Sequence, residues 1–478
     1  MNLPQEFADS MIAYMGKDEY DRLAAALDTT PPVSMRLNPS KMTADERKDI
    51  VKRMKATRVP WCDMGFYLAE RPQFTFDPLL HAGCYYVQEA SSMFVWHIIS
   101  QYLSGNIGEQ ETPPAQDVHS PITALDLCAA PGGKSTLALS LLPKGSILVA
   151  NEAIRQRANI LAENIVKWGN PNCIVTNNYA EDFASFDETF DMIICDAPCS
   201  GEGMFRKDHN SINEWSPSNV VACSKTQKDI TSDIWHALKP GGLLIYSTCT
   251  YNPHEDEENT KWIADHLGAE ILSCHPDKDW HLTETNTHFF PHIVKGEGFF
   301  VSILKKKDDE CESGPQGNSI RKKSKERKIS SKDKTPQELK DWLEEGSDYE
   351  IYEHNGTYHA FPSIHKNLLK KAQESLRIVH AGIELARPKG KKLQPSHSLA
   401  LSTSLKRSAF PQVELDCTQA IAYLRTEALS LPSDTPIGYV LLTYQGHPLG
   451  FANNIGNRAN NLYPQEWKIR STHIENIQ

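Results

Sequence analysis

Short apolar segments alternate with helical patterns between residues 76 and 305, and this alternation constrains the fold more than any other feature of the chain. The apolar segments read ITALDLC, SILVANE, CIVTN, FDMIICD and GGLLIYST. Helical patterns lie between them in GGKSTLALSLL, RQRANILAENIVKWG and KTQKDITSDIWHALKP. Strands that alternate with helices of about 10–15 residues are typical of βαβ units, whose parallel strands share one sheet covered on both faces. The sequence therefore predicts an α/β fold for this region.

The chain of 478 residues is too long for a single hydrophobic core, so several domains are expected. Residues 306–335 lack apolar periodicity and are rich in Lys, Ser, Asp and Glu, which is typical of a flexible linker. Between Lys305 and Lys334 there are eleven basic and six acidic residues, a local excess of positive charge. We predict an N-terminal domain at 1–75, the α/β core at 76–305, a charged linker at 306–335, a small α+β middle domain at 336–390 and a compact β-rich domain at 391–478.

Composition and charge exclude several classes of protein. No apolar run approaches the ~18 residues of a membrane span, and the N-terminal MNLPQEFADSMIAYMG lacks the pattern of a secretory signal. We therefore expect a cytoplasmic protein with no membrane partner. The formal net charge of -11 argues against non-specific binding to nucleic acid. Eleven scattered cysteines include no Cys-x-x-Cys pair, so neither a zinc site nor another metal centre is expected.

The first predicted strand of the core leads into a turn rich in Gly, Ala and Pro, within ALDLCAAPGGKSTLAL at residues 124–139. Ligands of such sheets bind at the carboxyl ends of strands, where small residues allow close approach to the backbone. A nucleoside triphosphate loop would need glycine at the position of Cys128. Glu152 ends the second strand about 20 residues beyond the turn, a position suited to hydrogen bonds with ribose hydroxyls. Together these features predict an adenosyl-cofactor site, and a tight turn without a ligand is the alternative.

Three chemically reactive side chains follow two later strands. Asp196 ends FDMIICD, Cys199 follows it in APCSGEG, and Cys249 follows GGLLIYST. At the end of so apolar a strand, partial desolvation favours a protonated Asp196 that can donate a hydrogen bond. A thiolate that adds to carbon 6 of cytosine makes carbon 5 nucleophilic enough to take a methyl group, and a second ionisable group would assist release. The alternatives are a loop that only shapes a pocket and thiols that are buried structural residues.

Several motifs resemble those of RNA 5-methylcytosine methyltransferases. The core motifs are LDLCAAPGGKS, DAPCSGEG and YSTCTYNPHEDEEN, while MRLNPSK at 35–41 and GCYYVQEASSM at 83–93 are similar to N-terminal blocks of that family. The segment GNRANNLYPQEWKIR resembles a bacterial branch that acts on 16S rRNA. The resemblance extends over essentially the whole chain. It implies a Rossmann-like class I methyltransferase domain, a small α+β N-terminal RNA-binding domain and two small C-terminal RNA-binding domains, the last of them PUA-like.

The resemblance also implies roles for individual residues. Cys249 in the Thr-Cys motif would be the nucleophile, Cys199 in the Pro-Cys motif would assist release, and Asp196 would lie between cofactor and target base. DNA cytosine methyltransferases use the Pro-Cys thiol as nucleophile instead, but they lack the Thr-Cys motif. The residues expected to hold S-adenosylmethionine are Cys128, Ala129, Ala130, Pro131, Gly132, Gly133 and Lys134, which would line its pocket, Glu152 at the ribose, and Asp196 as base or cofactor contact.

One position departs from the family pattern. After the third strand the family has an acidic residue that contacts the cofactor, whereas this chain reads TNNYAEDF and has Tyr179 at that place. We expect either a backbone contact at Tyr179 or a substitute contact from the side chain of Asn178 or Asp182.

The activity that the resemblance implies is S-adenosylmethionine-dependent methylation of carbon 5 of a cytosine in 16S rRNA, within the small ribosomal subunit. The family target is cytosine 1407 in RNA numbering; another rRNA or tRNA cytosine is the alternative, and DNA is not an expected partner. Two other functions are considered. The first is a P-loop NTPase, and Cys128 argues against it. The second is a non-catalytic RNA-binding protein, and the two intact thiols argue against that. The expected phosphate contacts are Arg36, Lys41, the linker lysines, Arg458, Lys468 and Arg470.

Overall fold

The structure is a computed structural model that describes residues 1–108, 120–308, 336–346 and 348–471. Most of the charged linker predicted at 306–335 lies outside these described residues, from position 309 onward. Within the described part of the chain, no helix is both long enough and apolar enough to cross a lipid bilayer.

The N-terminal region combines helices with a small antiparallel sheet. Its helices are α1 (Gln5–Met15), α2 (Lys17–Leu27), α3 (Ala44–Arg53), α4 (Pro78–His81) and α5 (Val95–Ser104). Its strands are β1 (Val33–Leu37), β2 (Thr57–Arg58), β3 (Gly65–Leu68) and β4 (Tyr85–Val87), in the spatial order β2-β3-β1-β4. Helix α3 begins with a capping box formed by Thr43 and Glu46. Because β4 pairs with β1, this sheet continues beyond residue 75, where we expected the domain to end.

The core is built on one mixed sheet. Its strands are β5 (Thr123–Asp126), β6 (Ile147–Asn151), β7 (Cys173–Thr176), β8 (Phe190–Asp196), β9 (Leu238–Thr248), β10 (Ala269–Leu272), β11 (Thr287–Phe289) and β12 (Phe299–Lys306). Its helices are α6 (Gly133–Leu141), α7 (Arg155–Trp168), α8 (His209–Glu214), α9 (Pro217–Trp235) and α10 (Glu257–Leu267). Strands β7-β6-β5-β8-β9 are parallel neighbours, and β12, β10 and β11 add antiparallel strands beyond β9. The predicted α/β fold with a parallel sheet is confirmed.

Helices cover both faces of this sheet. Ala124 of β5 packs in a cluster with Leu137 of α6 and Leu161 of α7. The next residue, Leu125, packs in a second cluster with Ile234 of α9. Successive residues of a strand point to opposite faces, and both faces of β5 are apolar, so the continuous apolar run seen in the sequence is what a doubly covered strand requires.

The C-terminal region contributes two further sheets. Its helices are α11 (Glu338–Asp341), α12 (Lys366–Ser375), α13 (His397–Leu401) and α14 (Cys417–Leu424). Its strands are β13 (Tyr349–His354), β14 (Thr357–Pro362), β15 (Ile378–Ala381), β16 (Ile383–Lys389), β17 (Lys392–Pro395), β18 (Gln412–Glu414), β19 (Gly438–Tyr444), β20 (His447–Asn454) and β21 (Ala459–Asn461). The β13–β14 hairpin turns at Asn355 and Gly356, whose φ angles of 51° and 73° suit an Asn-Gly turn.

Strand β15 belongs to the core sheet although it comes from the C-terminal region. It pairs antiparallel with β7, so that Ile378 lies opposite Thr176 and covers the edge of the sheet. The remaining strands of this segment form the sheet β13-β14-β16-β17, which continues to Pro395. Residues 336–390 are therefore not separate from the core, and the boundary expected at 390 falls between two paired strands. The segment joins the core because β15 pairs with the exposed edge strand β7 of the core sheet. The amino-acid pattern of a four-residue strand does not reveal which sheet edge it will pair with.

The last sheet, with the order β18-β19-β20-β21, packs against the N-terminal region. Met35 and Leu37 of β1 share one buried cluster with Leu424 of α14 and Leu442 of β19. The N-terminal and C-terminal regions thus share one hydrophobic core.

Arg36 on β1 is fully buried and joins the N-terminal sheet to the core. Its Nε donates to Gln88 Oε1 at 2.9 Å, and its Nη2 donates to Thr136 Oγ1 of α6 at 2.6 Å. Its guanidinium also lies 4.5 Å from the ring centroid of Trp168. The expected contact between Arg36 and an RNA phosphate is wrong, because this side chain is closed off from solvent and uses its donors inside the protein.

Lys41 is not available to a phosphate either. Its Nζ donates to the carbonyl oxygens of Ala82 at 2.7 Å and Lys167 at 2.6 Å, and burial lowers the pKa of Lys41 to about 7. The expected phosphate contact of Lys41 is therefore also wrong. The other basic residues predicted to contact phosphate in the described C-terminal region are exposed, and their contacts stay predictions: Arg458, Lys468 and Arg470.

Arg36→Ala should destabilise the protein rather than weaken RNA binding alone. The substitution leaves buried acceptors without donors and removes the stacking on Trp168, so the free energy of unfolding should fall by about 3 kcal/mol. Chemical denaturation of the full chain measures this. Arg58→Ala is the matched control, because the Arg58 side chain is 60% exposed and bonds only Asp63 on the surface. An unchanged free energy of unfolding in Arg36→Ala would contradict the role assigned to this side chain.

Candidate active site

Cys199 and Cys249 meet at the carboxyl edge of the core sheet. They lie in the loops that follow the parallel neighbours β8 and β9, so the two loops leave the sheet side by side. The Sγ atoms are 2.9 Å apart, both thiols are free, and the backbone N–H of Cys249 donates to Cys199 Sγ at 3.3 Å. The hydrogen bond with Cys249, together with burial, raises the pKa of the Cys199 thiol well above its usual value. Cys199 therefore keeps its proton at neutral pH.

Gly203 holds the loop after β8 against the loop after β9. Its backbone N–H donates to the carbonyl oxygen of Cys249 at 2.9 Å. A Cβ atom at Gly203 would lie 2.9 Å from that oxygen and 2.8 Å from the carbonyl oxygen of Gly298, which is too close for any residue larger than glycine. The GEG segment thus fixes the backbone of Cys249 through a contact that only glycine allows.

Asp196 ends β8 and forms an ion pair with Lys134. Its Oδ2 lies 2.8 Å from Lys134 Nζ, and its Oδ1 accepts a hydrogen bond from Ser247 Oγ at 2.8 Å. Burial alone would lower the pKa of Lys134, but the Asp196 carboxylate outweighs that effect and raises it. Both oxygens of the Asp196 side chain are therefore placed as acceptors in this structure. The hydrogen bond that Asp196 was expected to donate is not among its contacts with the described residues, which place Lys134 Nζ and Ser247 Oγ as donors to it.

This ion pair also decides how the lysine of the GGKS segment is used. In a nucleoside triphosphate loop that lysine would reach phosphate oxygens. Here the Lys134 ammonium is directed to Asp196 and lies 5.0 Å from the ring centroid of Phe299. The geometry argues against the competing P-loop NTPase.

The turn at residues 128–133 is braced by polar side chains of α7. Arg157 Nη2 donates to the carbonyl oxygen of Ala130 at 2.8 Å, and Asn164 Nδ2 donates to that of Pro131 at 2.8 Å. The peptide bond between Ala130 and Pro131 is cis. The turn is therefore held in one shape by partners on its protein side, which leaves its other side for a ligand.

Cys128 and Gly132 enter this turn in different ways. The hydrogen bond with Cys195, together with burial, raises the pKa of the Cys128 thiol well above its usual value, so this thiol is not a reactive one. Gly132 has a φ of +112°, which an L-residue with a side chain rarely adopts, and α6 starts directly after it. Cys128 can line the predicted cofactor pocket through its backbone while its sulfur faces the core.

Glu152 lies at the end of β6 with only one carboxylate oxygen used in a hydrogen bond. Its Oε1 accepts from the backbone N–H of Ile154 at 2.9 Å. Its Oε2 is buried and has no hydrogen-bond partner among the described residues, with Arg157 Nη1 3.5 Å away as the nearest charge. A buried acceptor without a donor suits a ribose hydroxyl, so the residues present fit the adenosyl part of S-adenosylmethionine.

The departure from the family pattern at Tyr179 has a local explanation in this structure. The Tyr179 ring is 66% exposed, while its backbone N–H donates to Asp182 Oδ2 at 2.9 Å. Asn178 Nδ2 donates to the same oxygen at 3.0 Å, and Asn178 Oδ1 accepts from the backbone N–H of Arg377 at 2.9 Å. Of the substitutes considered, Asp182 is the one that brings a carboxylate to this position, and the adjoining Arg377 comes from the C-terminal region.

Asp126, at the end of β5, was missed by the sequence reasoning although it lies inside the LDLC motif. Its side chain is fully buried, Ser135 Oγ donates to Oδ2 at 2.6 Å, and Oδ1 has no hydrogen-bond partner in the described chain. Burial raises the pKa of Asp126 to about 7. An acidic residue at a strand end next to a glycine-rich turn was the signal that could have identified it.

A buried polar network behind the two thiols was also missed. Glu255 Oε2 accepts from the backbone N–H of Ser200 at 3.0 Å, and its Oε1 accepts from Asn252 Nδ2 at 2.8 Å. Asn252 also donates to Glu202 Oε1 at 3.1 Å, and Glu202 Oε2 accepts from the backbone N–H of Tyr251 at 2.8 Å. These bonds fasten the two cysteine-bearing loops to each other. The polar residues of GEG and NPHEDEEN were visible in the sequence, but their mutual contacts were not.

Three family models match the chain. One described as 16S rRNA methyltransferase RsmB/F matches residues 116–305. One described as the N-terminal domain of 16S rRNA methyltransferase RsmF matches residues 3–90, and one described as the methyltransferase RsmF PUA domain matches residues 410–469. The predicted combination of a methyltransferase core, an N-terminal domain and a PUA-like C-terminal domain is confirmed.

Curated proteins and solved structures resemble the chain as well. It is 31% identical to ribosomal RNA small subunit methyltransferase F of Cronobacter sakazakii, over 97% of this chain and 96% of that protein. It is 28% identical to the protein of the same name from Erwinia tasmaniensis, over 97% and 96%. A methyltransferase homolog from Pyrococcus horikoshii is 27% identical with a TM-score of 0.51, covering 63% of this chain and 95% of that one. NSun6 from the same organism, solved with SFG, shares the fold with a TM-score of 0.52, 18% identity and coverage of 64% and 99%.

Asp126→Asn should change how stability depends on pH. The folded-state pKa of about 7 lies above the ordinary value near 4, so the folded wild type binds more protons within this window, and its free energy of unfolding falls as pH rises through it. The asparagine variant lacks this loss. The difference in free energy of unfolding between Asp126→Asn and the wild type should therefore rise in favour of the variant by up to about 1.4 kcal/mol per pH unit between pH 4 and 7. Urea denaturation at several pH values measures both slopes.

Ser135→Ala is the matched variant for this measurement. It removes the hydroxyl that favours the charged carboxylate, so the decline in stability should extend to higher pH than in the wild type. Equal pH slopes in the wild type and Asp126→Asn would contradict the assignment.

Proposed function

The chain belongs to the family of ribosomal RNA small subunit methyltransferase F, and on that premise we propose that it methylates carbon 5 of a cytosine in 16S rRNA. It is an S-adenosylmethionine-dependent methyltransferase. The proposed target is cytosine 1407 in RNA numbering, and the same chemistry on another rRNA or tRNA cytosine is the alternative. We infer that the reaction takes place in the cytoplasm on 16S rRNA, within the small ribosomal subunit.

The observation that carries this proposal is the contact between the two thiols. Cys249 Sγ and Cys199 Sγ lie 2.9 Å apart at the carboxyl edge of the sheet, where Asp196 ends β8. Direct methyl transfer to a nucleophilic substrate atom needs no enzyme thiol, whereas transfer to carbon 5 of cytosine needs a nucleophile and then a group that assists its expulsion. The pair matches that sequence of two tasks, and the non-catalytic alternative has no use for it.

In the proposed reaction Cys249, as thiolate, forms a bond to carbon 6 of the cytosine, and carbon 5 gains electron density. S-adenosylmethionine, when bound, would supply the electrophilic methyl group, with S-adenosylhomocysteine as the neutral thioether product. The proton on carbon 5 is then removed, the bond between sulfur and carbon 6 breaks with its electrons returning to Cys249, and the ring double bond re-forms. Methylation is complete without any net oxidation or reduction.

The geometry suggests when Cys199 becomes useful. Its hydrogen bond with Cys249 is the main cause of its raised pKa, so Cys199 is protonated while Cys249 is free. Once Cys249 is bonded to carbon 6, its sulfur no longer forms the hydrogen bond with Cys199 and no longer carries a thiolate charge. Cys199 then ionises more readily and can accept the proton from carbon 5. This order agrees with the proposed roles of Cys249 as nucleophile and Cys199 in release.

Asp196 and the turn would orient the two substrates. The Asp196 carboxylate is held by Lys134 and Ser247 as a hydrogen-bond acceptor, which suits the amino group of the target cytosine. Glu152 Oε2 would accept from the ribose. The remaining proposed contacts to S-adenosylmethionine come from the turn and the third strand, namely Cys128, Ala129, Ala130, Pro131, Gly132, Gly133, Lys134 and Tyr179.

Cys249→Ala and Cys199→Ala should fail in different ways. Cys249→Ala should lose methylation by at least about 10³-fold and form no covalent RNA adduct, because the nucleophile is absent. Cys199→Ala should still attack but stall before release, so a protein–RNA complex that resists denaturation should accumulate. Denaturing gel electrophoresis with labelled 16S rRNA separates these outcomes. Cys417→Ala, at a half-buried free thiol of the C-terminal region, is the control and should behave like the wild type. Adduct accumulation in Cys249→Ala instead would reverse the two roles.

Bisulfite sequencing tests the target. 16S rRNA from a strain that lacks this protein should read as unmodified at cytosine 1407, and the wild-type chain supplied in trans should restore the protected base while Cys249→Ala should not. Protection at a different cytosine would move the target within the same chemistry, and no protected cytosine in either strain would overturn methylation of carbon 5.

A further inference from the structure

Residues 295–298, here called the KGEG segment, connect β11 to β12 and pack against both loops that carry the thiols. The Cys199 loop is residues 197–208, and the Cys249 loop is residues 249–256. A Cβ atom at Gly298 would lie 2.5 Å from Tyr251 Oη in the Cys249 loop. The carbonyl oxygen of Gly298 would in turn lie 2.8 Å from a Cβ atom at Gly203 in the Cys199 loop. The segment therefore approaches both loops as closely as glycine permits.

Glu297 of this segment forms an ion pair with Arg206 of the Cys199 loop. Arg206 Nε donates to Glu297 Oε2 at 2.9 Å, and Arg206 Nη2 donates to Glu297 Oε1 at 3.0 Å. The two side chains are 5% and 2% exposed. Two parallel bonds between a guanidinium and a carboxylate fix direction as well as distance, and breaking such a pair would leave a buried charge alone. The Glu297 carboxylate thus sets the position of the Cys199 loop.

The guanidinium of Arg206 has an acceptor for every N–H group. Its Nη2 also donates to the carbonyl oxygen of Gly296 at 2.6 Å, and its Nη1 donates to the carbonyl oxygen of Ala26 at 3.1 Å and to Thr29 Oγ1 at 2.9 Å. With the two bonds to Glu297, all five donors of this side chain are used. Arg206 is therefore held in one orientation between the KGEG segment and the end of α2.

The backbone of Glu297 holds the Cys249 loop. Its carbonyl oxygen accepts a hydrogen bond from Tyr251 Oη. Burial, together with the nearby Glu297 carboxylate, raises the pKa of Tyr251 well above its usual value, so the phenol keeps its proton and donates. The Tyr251 ring is 1% exposed and is stacked on Phe290, with centroids 5.6 Å apart. Because only Thr250 separates Tyr251 from Cys249, this bond restrains the backbone next to the thiol.

The KGEG segment is itself fixed to the N-terminal region. The backbone N–H of Glu297 donates to Glu89 Oε1 at 3.1 Å, and Tyr67 Oη donates to the carbonyl oxygen of Lys295 at 2.7 Å. The N–H group, the carbonyl oxygen and both carboxylate oxygens of Glu297 are thus all used in bonds. This residue joins the N-terminal region, the Cys199 loop and the Cys249 loop.

We propose that Glu297 is a positioning residue for the two-thiol reaction, acting through Arg206 on Cys199 and through Tyr251 on Cys249. The two Sγ atoms belong to different loops, so their separation of 2.9 Å depends on how each loop is held. A misplacement of ~1 Å can slow a reaction ~100-fold. The inference rests on the proposed function, in which Cys249 attacks and Cys199 assists release. Loss of the Arg206 contact should therefore slow release, and loss of the Tyr251 contact should slow attack.

Arg206→Lys and Tyr251→Phe test the two contacts separately. Single-turnover reactions with S-adenosylmethionine and labelled 16S rRNA, quenched in denaturant, give the rate of adduct formation and the rate of its decay to methylated RNA. Arg206→Lys keeps the charge but cannot form both bonds, so it should slow decay at least about tenfold and change formation less than about twofold. Tyr251→Phe keeps the stacking on Phe290 and should slow formation at least about tenfold, with decay changed less than about twofold.

Glu297→Gln checks that Arg206 acts through this carboxylate. The variant keeps the backbone carbonyl for Tyr251, so it should slow decay as Arg206→Lys does and leave formation unchanged. The double variant should decay no more slowly than the slower single variant, because both changes remove the same contact. Arg58→Lys is the matched control, since Arg58 pairs with Asp63 at 2.6 Å but is 60% exposed, and it should react like the wild type in both steps.

The division between the two steps separates positioning from a merely structural role. A loss of stability lowers the fraction of active protein, but it leaves both rate constants of the folded molecules unchanged. Wild-type rate constants in Arg206→Lys and Tyr251→Phe, equal slowing of both steps in each, or the reverse division would overturn the proposal. If Arg206→Lys and Glu297→Gln do not fold, an unchanged formation rate in Tyr251→Phe would overturn it. Absence of both adduct and methylated RNA with the wild type would overturn the proposed function instead.

Discussion

The register among the parallel strands β5, β8 and β9 is the constraint on which the site depends. Asp126 lies opposite Ile194, and Asp196 lies opposite Ser247, so both strand-end aspartates and the following Cys249 emerge at one edge. A shift of one residue would turn every side chain to the opposite face of the sheet. Because both faces of these strands are packed with apolar side chains, such a shift would bury charge against the helices, and the register is strongly specified.

At this edge of the sheet, contacts within the protein orient the polar groups. Lys134 and Ser247 are placed as donors to Asp196, and the hydrogen bond with Cys249, together with burial, raises the pKa of the Cys199 thiol. Within the described part of the chain, Glu152 Oε2 is a buried acceptor without a hydrogen-bond donor, and Arg157 Nη1 lies 3.5 Å away. These polar groups are held in place by the protein before any substrate binds.

Segments outside the central α/β region brace the site from two sides. Arg36 of the N-terminal sheet donates to the carbonyl oxygen of Gly133 at 3.2 Å and to Thr136, at the start of the helix that follows the predicted cofactor turn. On the other side, β15 covers β7, and Arg377 bonds Asn178 beside the position where the family pattern departs. The flanking regions are thus part of the scaffold of the site as well as candidates for RNA contact.

The sequence by itself determined the central strands and helices, the turn at 128–133 and the strand-end positions of Asp196, Cys199 and Cys249, because apolar periodicity and turn residues act over short stretches of chain. The roles of those site residues stay predictions. Only the tertiary structure decided that Arg36 is buried, that the Lys41 ammonium bonds backbone carbonyl oxygens, that Asp196 is paired with Lys134, that β15 joins the core sheet, and that His288 lies beside Asp256. Each of these depends on partners far away in the chain, and a pattern of residue types carries no information about which distant backbone or side chain will neutralise a charge or pair with an edge. The charge and exposure of a polar group follow from its tertiary partners, whereas the secondary structure around it follows from its neighbours in sequence.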